Sequence, residues 1–260
     1  RRQKVMIQLL LLLAVLAVAF CDPSVPTLPS QYTVTDTYEI VDTNAGYPSH
    51  VEETLDFQYY DLAAQKKRID VSYSSYQFPG PYFLVYDYTQ TFDVQCGKET
   101  ISAPRVYNVL KKTNQCCFAD LVQDCDANPQ TIPSAESMYT PAMPQKIKYM
   151  GTTSTSDVCP DQSVDWWQQN LNFGNEVPPF TQDFYFDAKD STTQKGLFMH
   201  ILAGVQFINA TTQYKGDWTL KAPESSVFDI SALDCSQKCN GAQLSSVDRR
   251  LKMAAKAKKQ

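Results

Sequence analysis

Short runs in which apolar and polar residues alternate dominate the chain from Val51 onward. Arg68-Ile69-Asp70-Val71-Ser72-Tyr73 puts Ile69, Val71 and Tyr73 on one face, the period-two signature of a half-buried strand. Residues 55–60 and 67–73 are predicted to pair as a hairpin across Asp61-Leu62-Ala63-Ala64-Gln65. Tyr82 to Tyr88, opened by Pro79-Gly80-Pro81, is the next predicted strand, and Thr91 to Cys96 and Arg105 to Leu110 follow it. Thr181 to Asp187 alternates again, with Phe184 and Phe186 on one face. Gly196 to Ile208 is apolar on both faces and is expected to form a central, buried strand pair. Trp218-Thr219-Leu220 is the last predicted strand, and residues 126–144, with prolines at 129, 133, 141 and 144, are predicted loop. A helical stripe occurs at the end of the chain, where Leu244, Val247 and Leu251 share one side of residues 244–258. Repeated short strands without a helical body predict an all-β sandwich or open barrel with a short C-terminal helix.

The N-terminal segment breaks this pattern. Val5 to Phe20 is apolar apart from Gln8 and follows Arg1, Arg2 and Lys4. That order of basic, apolar and small residues reads as a secretory signal peptide over 1–19, with cleavage after Ala19 or after Cys21 as the two options. Residues 20–50, rich in Pro, Ser and Thr, are expected to be an extended leader packed on the surface. The β domain then covers 51–240, and 241–260 is a basic helical tail.

Composition sharpens the picture in two ways. The chain has 15 Tyr and 13 Phe against 9 Gly, a balance that suits strands. Its net charge is −5, and basic residues cluster at both ends. The acidic body between them disfavours nucleic acid as a partner and is compatible with weak binding of calcium or another divalent cation.

Eight cysteines, at 21, 96, 116, 117, 125, 159, 235 and 239, read as a disulfide framework in an exported chain. Spacing alone does not assign the pairs. Cys235-x3-Cys239 has no matching metal-ligand pair elsewhere, so zinc is disfavoured. Asn209-Ala210-Thr211 is a glycosylation sequon, expected at a strand end or turn.

Catalytic motifs are scarce. His50 and His200 are the two histidines, and His200 is expected to be buried and hydrogen-bonded within its apolar run. There is no G-x-S-x-G, H-E-x-x-H, P-loop or G-x-G-x-x-G. Paired carboxylates could still hydrolyse glycosides, which keeps a secreted hydrolase as an alternative, but nothing selects two of the 28 acids. Asp124-Cys125-Asp126 imitates a calcium loop and then fails at Pro129 and Ala135. Asp183, Asp187 and Asp190 would bind calcium only if the fold brought them together. The aromatics are more suggestive: Phe184, Phe186, Met199, Phe207 and Trp218 are expected as walls of an apolar pocket on a curved sheet.

Several segments, in order, resemble the ependymin-related family. They are Phe57-Gln58-Tyr59-Tyr60-Asp61, Gln65-Lys66-Lys67-Arg68-Ile69, the run Val106 to Cys116, and Pro223 to Ile230 followed by Cys235, with Cys21-Asp22-Pro23 as the opening. The resemblance covers most of 21–239 and favours cleavage after Ala19. It implies two stacked antiparallel sheets forming a half-open barrel with a hydrophobic pocket, similar to bacterial lipoprotein carriers. It also implies secretion or lysosomal residence, N-glycosylation at Asn209, a homodimer, and binding of lipid-like ligands and calcium without catalysis. An alternative is an extracellular-matrix or cell-adhesion protein that takes no small ligand. By matched position the bridges would be Cys21–Cys159, Cys96–Cys239 and Cys116–Cys235, with Cys117–Cys125 as an extra pair. Residues 160–195 are longer than the family's pattern, and Ser231 stands where its proline is expected.

Overall fold

The structure, a computed structural model, describes residue 26 and residues 29–43, 50–74, 80–122, 147–171, 180–203 and 206–240. The signal segment, the 126–144 loop and the basic tail predicted over 241–260 lie outside these residues. Among the described residues there are twelve strands: β1 (Gln31–Thr43), β2 (His50–Asp61), β3 (Lys66–Ser74), β4 (Tyr82–Cys96), β5 (Glu99–Leu110), β6 (Cys116–Asp120), β7 (Lys148–Thr153), β8 (Val164–Leu171), β9 (Phe180–Asp187), β10 (Asp190–Ala203), β11 (Gln206–Tyr214) and β12 (Trp218–Thr219). The architecture is all-β and antiparallel, as the alternation predicts. Strand order is β6-β5-β4-β3-β2-β1-β11-β10-β9-β8-β7, with β12 beside β1. Two groups of strands, β2–β6 and β7–β10, thus flank a central β1–β11 pair.

Gly196 to Ala203 pairs with Gln206 to Gln213 as the expected hairpin, and β11 lies against β1. The leader expectation needs correction. Residues 31–43 form β1, which pairs with β2, β11 and β12 in the middle of the sheet. Pro, Ser and Thr crowd residues 22–30, but Tyr32, Val34, Tyr38 and Ile40 alternate with polar partners, and Thr is itself a good strand residue. Pro104 sits inside β5 without an amide hydrogen to donate. It falls at the register break of the β4–β5 ladder, between the pairs Asp87–Arg105 and Phe92–Ala103, the place a central-strand proline tolerates.

Cross-strand pairs trace one face across the whole sheet. Ala119, Val106, Tyr86, Leu84, Ile69 and Gln58 share it on one side, and Trp167, Phe184, Leu197, Thr212 and Tyr214 on the other. We call this the inner face. It carries two buried clusters. One holds Leu55, Ile69, Val71, Tyr82, Leu84, Val106, Ala119 and Leu121. The other holds Ile147, Trp167, Phe184, Phe186 and Leu197.

The outer face is covered by two chain segments. Val158 and Cys159 pack with Val164 and Tyr185. The C-terminal segment, including a 3-10 turn at Ser225–Phe228, lies over β3–β6. The Phe118 N–H donates to the Gln237 carbonyl at 2.9 Å, and the Cys239 N–H donates to the Phe118 carbonyl at 2.8 Å. Arg68 donates to the Val227 carbonyl while stacking over Phe83 at 3.9 Å. Arg105 is sandwiched between the Phe92 and Phe118 rings, at 3.6 and 3.8 Å, and donates to Asp120 at 3.0 Å.

Two disulfides fix this strap: Cys116–Cys235 and Cys117–Cys239. The second overturns two pairs that the resemblance implies, Cys96–Cys239 and Cys117–Cys125, because Cys117 and Cys239 are bonded to each other. Adjacent Cys116 and Cys117 both reach the strap because β6 is an edge strand. Cys96 is also disulfide-bonded. Cys159 is a buried free thiol, against the implied Cys21–Cys159 pair. Burial pushes its pKa up to about 12, so it is protonated and unreactive.

Candidate functional site: an aromatic seam on the inner face

Four strands meet where the two halves of the sheet join. A register shift between Leu55 and Phe57 in the β2–β3 ladder turns β2 so that Leu55, Gln58 and Tyr60 are all buried. The paired β1 follows, burying both Val34 and Thr37 completely. Tyr32 pairs with Tyr60, and their rings stack at 5.3 Å. Trp218, held opposite Val34 by β12, lies 5.0 Å from the Tyr32 ring and 5.4 Å from that of Tyr214. The aromatic row Tyr60–Tyr32–Trp218–Tyr214 therefore bridges the sheet. Trp218 also packs on the cluster around Phe184, while Tyr86 and Tyr88 pack on the cluster around Leu84.

The polar ends of these rings set the chemistry. Burial, reinforced by the Tyr214 and Tyr60 hydroxyls, holds the Tyr32 phenol far above its ordinary pKa. Burial, with Tyr86 and Tyr60 nearby, raises Tyr88 to about 12. Tyr32 and Tyr88 are thus neutral phenols, each able to donate or accept a hydrogen bond. Two buried atoms here, Thr37 Oγ1 and Trp218 Nε1, have no hydrogen-bond partner among the described residues. An unmet buried donor costs about 1–3 kcal/mol, so such atoms call for a partner from outside the fold.

These phenols predict an alkaline transition. The unfolded chain ionises its tyrosines near 10.0, whereas folded Tyr88 holds its proton up to about 12. A raised folded pKa stabilises fully below the unfolded value and is lost as pH rises through the folded one. Urea midpoints should be flat from pH 7 to 9 and fall from pH 10 to 12, in step with phenolate absorbance.

The pocket residues expected from sequence are placed unevenly. Phe184 and Phe186 are both 0% exposed and act as core under Trp218. Trp218 is half-buried and faces the seam. Met199 pairs with Gln182 and Ala210, and Phe207 with Leu202, in the central hairpin; their side chains lie outside the described residues. His200 pairs with Asn209 and Thr181, and its side chain is likewise outside them. Asn209 lies mid-strand in β11, opposite Asp42, instead of at a strand end or turn. It alternates with Thr212, so a glycan there would leave from the outer face. Tyr32, Tyr60, Tyr214 and Thr37 were not singled out by the sequence.

The donor set does not suit calcium at the expected acids. Asp183 accepts from Trp166 Nε1 at 2.8 Å and Gln168 Nε2 at 2.9 Å. Asp190 is occupied by the Thr192 and Thr193 hydroxyls, which with the Thr192 amide lower its pKa. No group of three or more metal-binding side chains occurs among the described residues. No helix among them is long and apolar enough to cross a membrane.

No family model matches the chain, and no curated protein matches it. Similar solved structures include the Mycobacterium tuberculosis lipoprotein LppX, at 8% identity over 72% of this chain and 90% of that one, with a TM-score of 0.29. Another is a DUF1329 family protein from Desulfovibrio piger, at 7% identity over 79% of this chain and 92% of that one, with a TM-score of 0.34. Likeness at this level carries no functional weight, so the site is read from its own residues.

Proposed function

We propose that this is a secreted, disulfide-braced glycoprotein that holds an amphipathic, lipid-like ligand on its inner face. Acyl carbon would lie along the apolar clusters, and the polar head would meet the aromatic seam. The observation that carries this reading is the pair of unpartnered buried atoms, Thr37 Oγ1 and Trp218 Nε1, set beside the aromatic row between two apolar clusters. A head group that accepts from Trp218 would satisfy the orphaned indole, and burying a methylene gains about 0.8 kcal/mol. No covalent step is needed, so the reading is a carrier and not an enzyme.

Oxidised cysteine pairs support export, since cytosolic thiols are kept reduced. Membership of the ependymin-related family is part of the same proposal. The Cys116–Cys235 bond supports it, and the Cys117–Cys239 bond departs from the family's pattern. Calcium dependence, dimerisation and matrix binding would be further properties of that membership, open to test on the purified protein.

The test is displacement of a dansylated fatty acid by oleate from the purified protein. Saturable binding at micromolar concentration is expected, and Trp218→Phe, which keeps an aromatic ring but removes the indole donor, should weaken it about tenfold. Absence of binding at about 100 μM lipid by a folded, disulfide-intact sample would sink the carrier reading. It would favour an interaction protein whose inner face is filled by its own side chains.

A further inference from the structure

The outer face carries a concavity, independent of the seam. The strap residues 225–231 do not lie flat on the sheet. They arch over the end of β3–β5 and leave a cleft of about 560 Å³. Lys66, Asp87, Gln90, Phe92, Tyr107 and Ser226 line it. Asp87 and Tyr107 alternate with Tyr86 and Val106, which face the inner side, so the cleft and the seam are on opposite faces of the sheet. Phe228 is buried at 3% exposure and anchors the arch.

The wall is built, not loose. Asp87 is held at both oxygens: Oδ1 accepts from the Thr89 amide at 2.9 Å, and Oδ2 pairs with Lys66 Nζ at 3.3 Å. Asp229 Oδ1 accepts from the Ser231 amide at 2.8 Å, which fixes the arch's own carboxylate toward the cleft rim. Phe92 is backed by the Arg105 guanidinium at 3.6 Å, so its ring is immobilised. A cleft of this volume is in the size range of small-ligand sites.

Its chemistry selects a class. Lys66 and Asp87 neutralise each other, and Asp229 leaves one surplus negative charge, so phosphates and carboxylates are repelled. Donors and acceptors are mixed: an ammonium, two carboxylates, an amide and serine hydroxyls. Three aromatic rings, those of Phe92, Tyr107 and Phe228, stand among them. A neutral sugar ring presents the matching pattern, an apolar C–H face and a rim of hydroxyls that each donate and accept. We propose that this cleft binds a neutral mono- or disaccharide unit, with ring carbons against Phe92 or Tyr107 and hydroxyls on Asp87 and Gln90.

The test is saturation-transfer NMR on the intact, disulfide-bonded protein with methyl glycosides of glucose, galactose, mannose and N-acetylglucosamine. Binding of at least one glycoside in the millimolar range is expected, with the strongest transfer to its ring C–H protons. Gln90→Ala, at an exposed position, and Asp87→Asn, which keeps the shape, should each weaken it about tenfold. Folding of each variant is checked by its unchanged thermal midpoint or, for Asp87→Asn, by retained disulfides and far-UV spectrum. No transfer to any glycoside at about 10 mM overturns the proposal. So does binding that neither substitution alters, or uptake of a lysine-rich peptide in place of every sugar. Fatty-acid displacement is measured on the same samples, so loss of sugar binding with lipid binding intact separates the two sites.

Discussion

Replacing Cys116, Cys117, Cys235 and Cys239 together with alanine should lower unfolding stability by about 3 kcal/mol. The Cys117–Cys239 bond joins residues 122 apart in sequence. Cutting both bonds frees a long loop in the unfolded chain, and the entropy of closing that loop is then charged to folding. The folded state loses little directly, because the Cys239 amide still donates to the Phe118 carbonyl and Lys238 still pairs with Asp120 at 2.9 Å. For a domain of this size the midpoint should drop by about 6–12 °C. The neighbouring Cys116–Cys235 bond closes nearly the same loop, at a separation of 119. Most of the loop entropy is therefore already removed by either bond. Removing either pair alone should therefore cost well under half of the full loss, and this non-additivity is the sharper check. Equal, additive losses in thermal melts would mean that the bridges act through local packing.

Much of the fold was legible because alternation survives burial in an antiparallel sheet. Ile69, Val71 and Phe184, Phe186 mark their inner face in sequence and lie on it in the structure. The central hairpin was legible for the opposite reason, since Gly196 to Ile208 reads as apolar on both faces. What was not legible was β1. Its neighbouring prolines suggested a leader, and no local signal says that residues 31–43 must pair with β11, more than 160 residues later. Such pairing is a property of the whole topology and not of local sequence.

The seam was missed for a related reason. Tyr32, Tyr60, Tyr214 and Trp218 come from four strands and share no motif. Trp218 is an expected pocket wall, but each of the three tyrosines is unexceptional among the 15 of the chain. The Leu55–Phe57 register shift compounds the difficulty. It lets Leu55 and Gln58 face the same side, which strict alternation forbids. Of the pairs that the resemblance implies, Cys116–Cys235 is present, whereas Cys117 bonds Cys239 instead of Cys125 because an edge strand lets both neighbouring cysteines meet one strap.

Gly216→Ala should be the most disruptive single methyl addition at the site. A Cβ there would stand 2.5 Å from the Thr35 carbonyl oxygen and 2.7 Å from its carbonyl carbon. Those are backbone atoms of the central strand, and they are already committed. The Thr35 amide donates to the Asp217 carbonyl at 3.3 Å, and the Asp217 amide donates to Thr35 Oγ1 at 3.1 Å. Neither side can yield without breaking this reciprocal pair, so the cost should reach about 3 kcal/mol, the upper part of the range for overpacking. The damage is also directed. The turn at Gly216 sets β12 beside β1, and β12 carries Trp218. Pushing the turn away therefore moves the indole off Tyr32 and Tyr214. Fatty-acid displacement should fail in this variant under conditions where the protein is still folded, well below its lowered midpoint. Gly97→Asn makes the contrast. Its φ of 62° suits asparagine, and a Cβ there meets nothing within 4 Å. It should cost less than about 1 kcal/mol and leave binding intact. If Gly216→Ala melted like the Gly97 variant and bound lipid normally, the seam would not depend on how closely β12 approaches β1, and Trp218 would lose its assigned place at the head of the ligand.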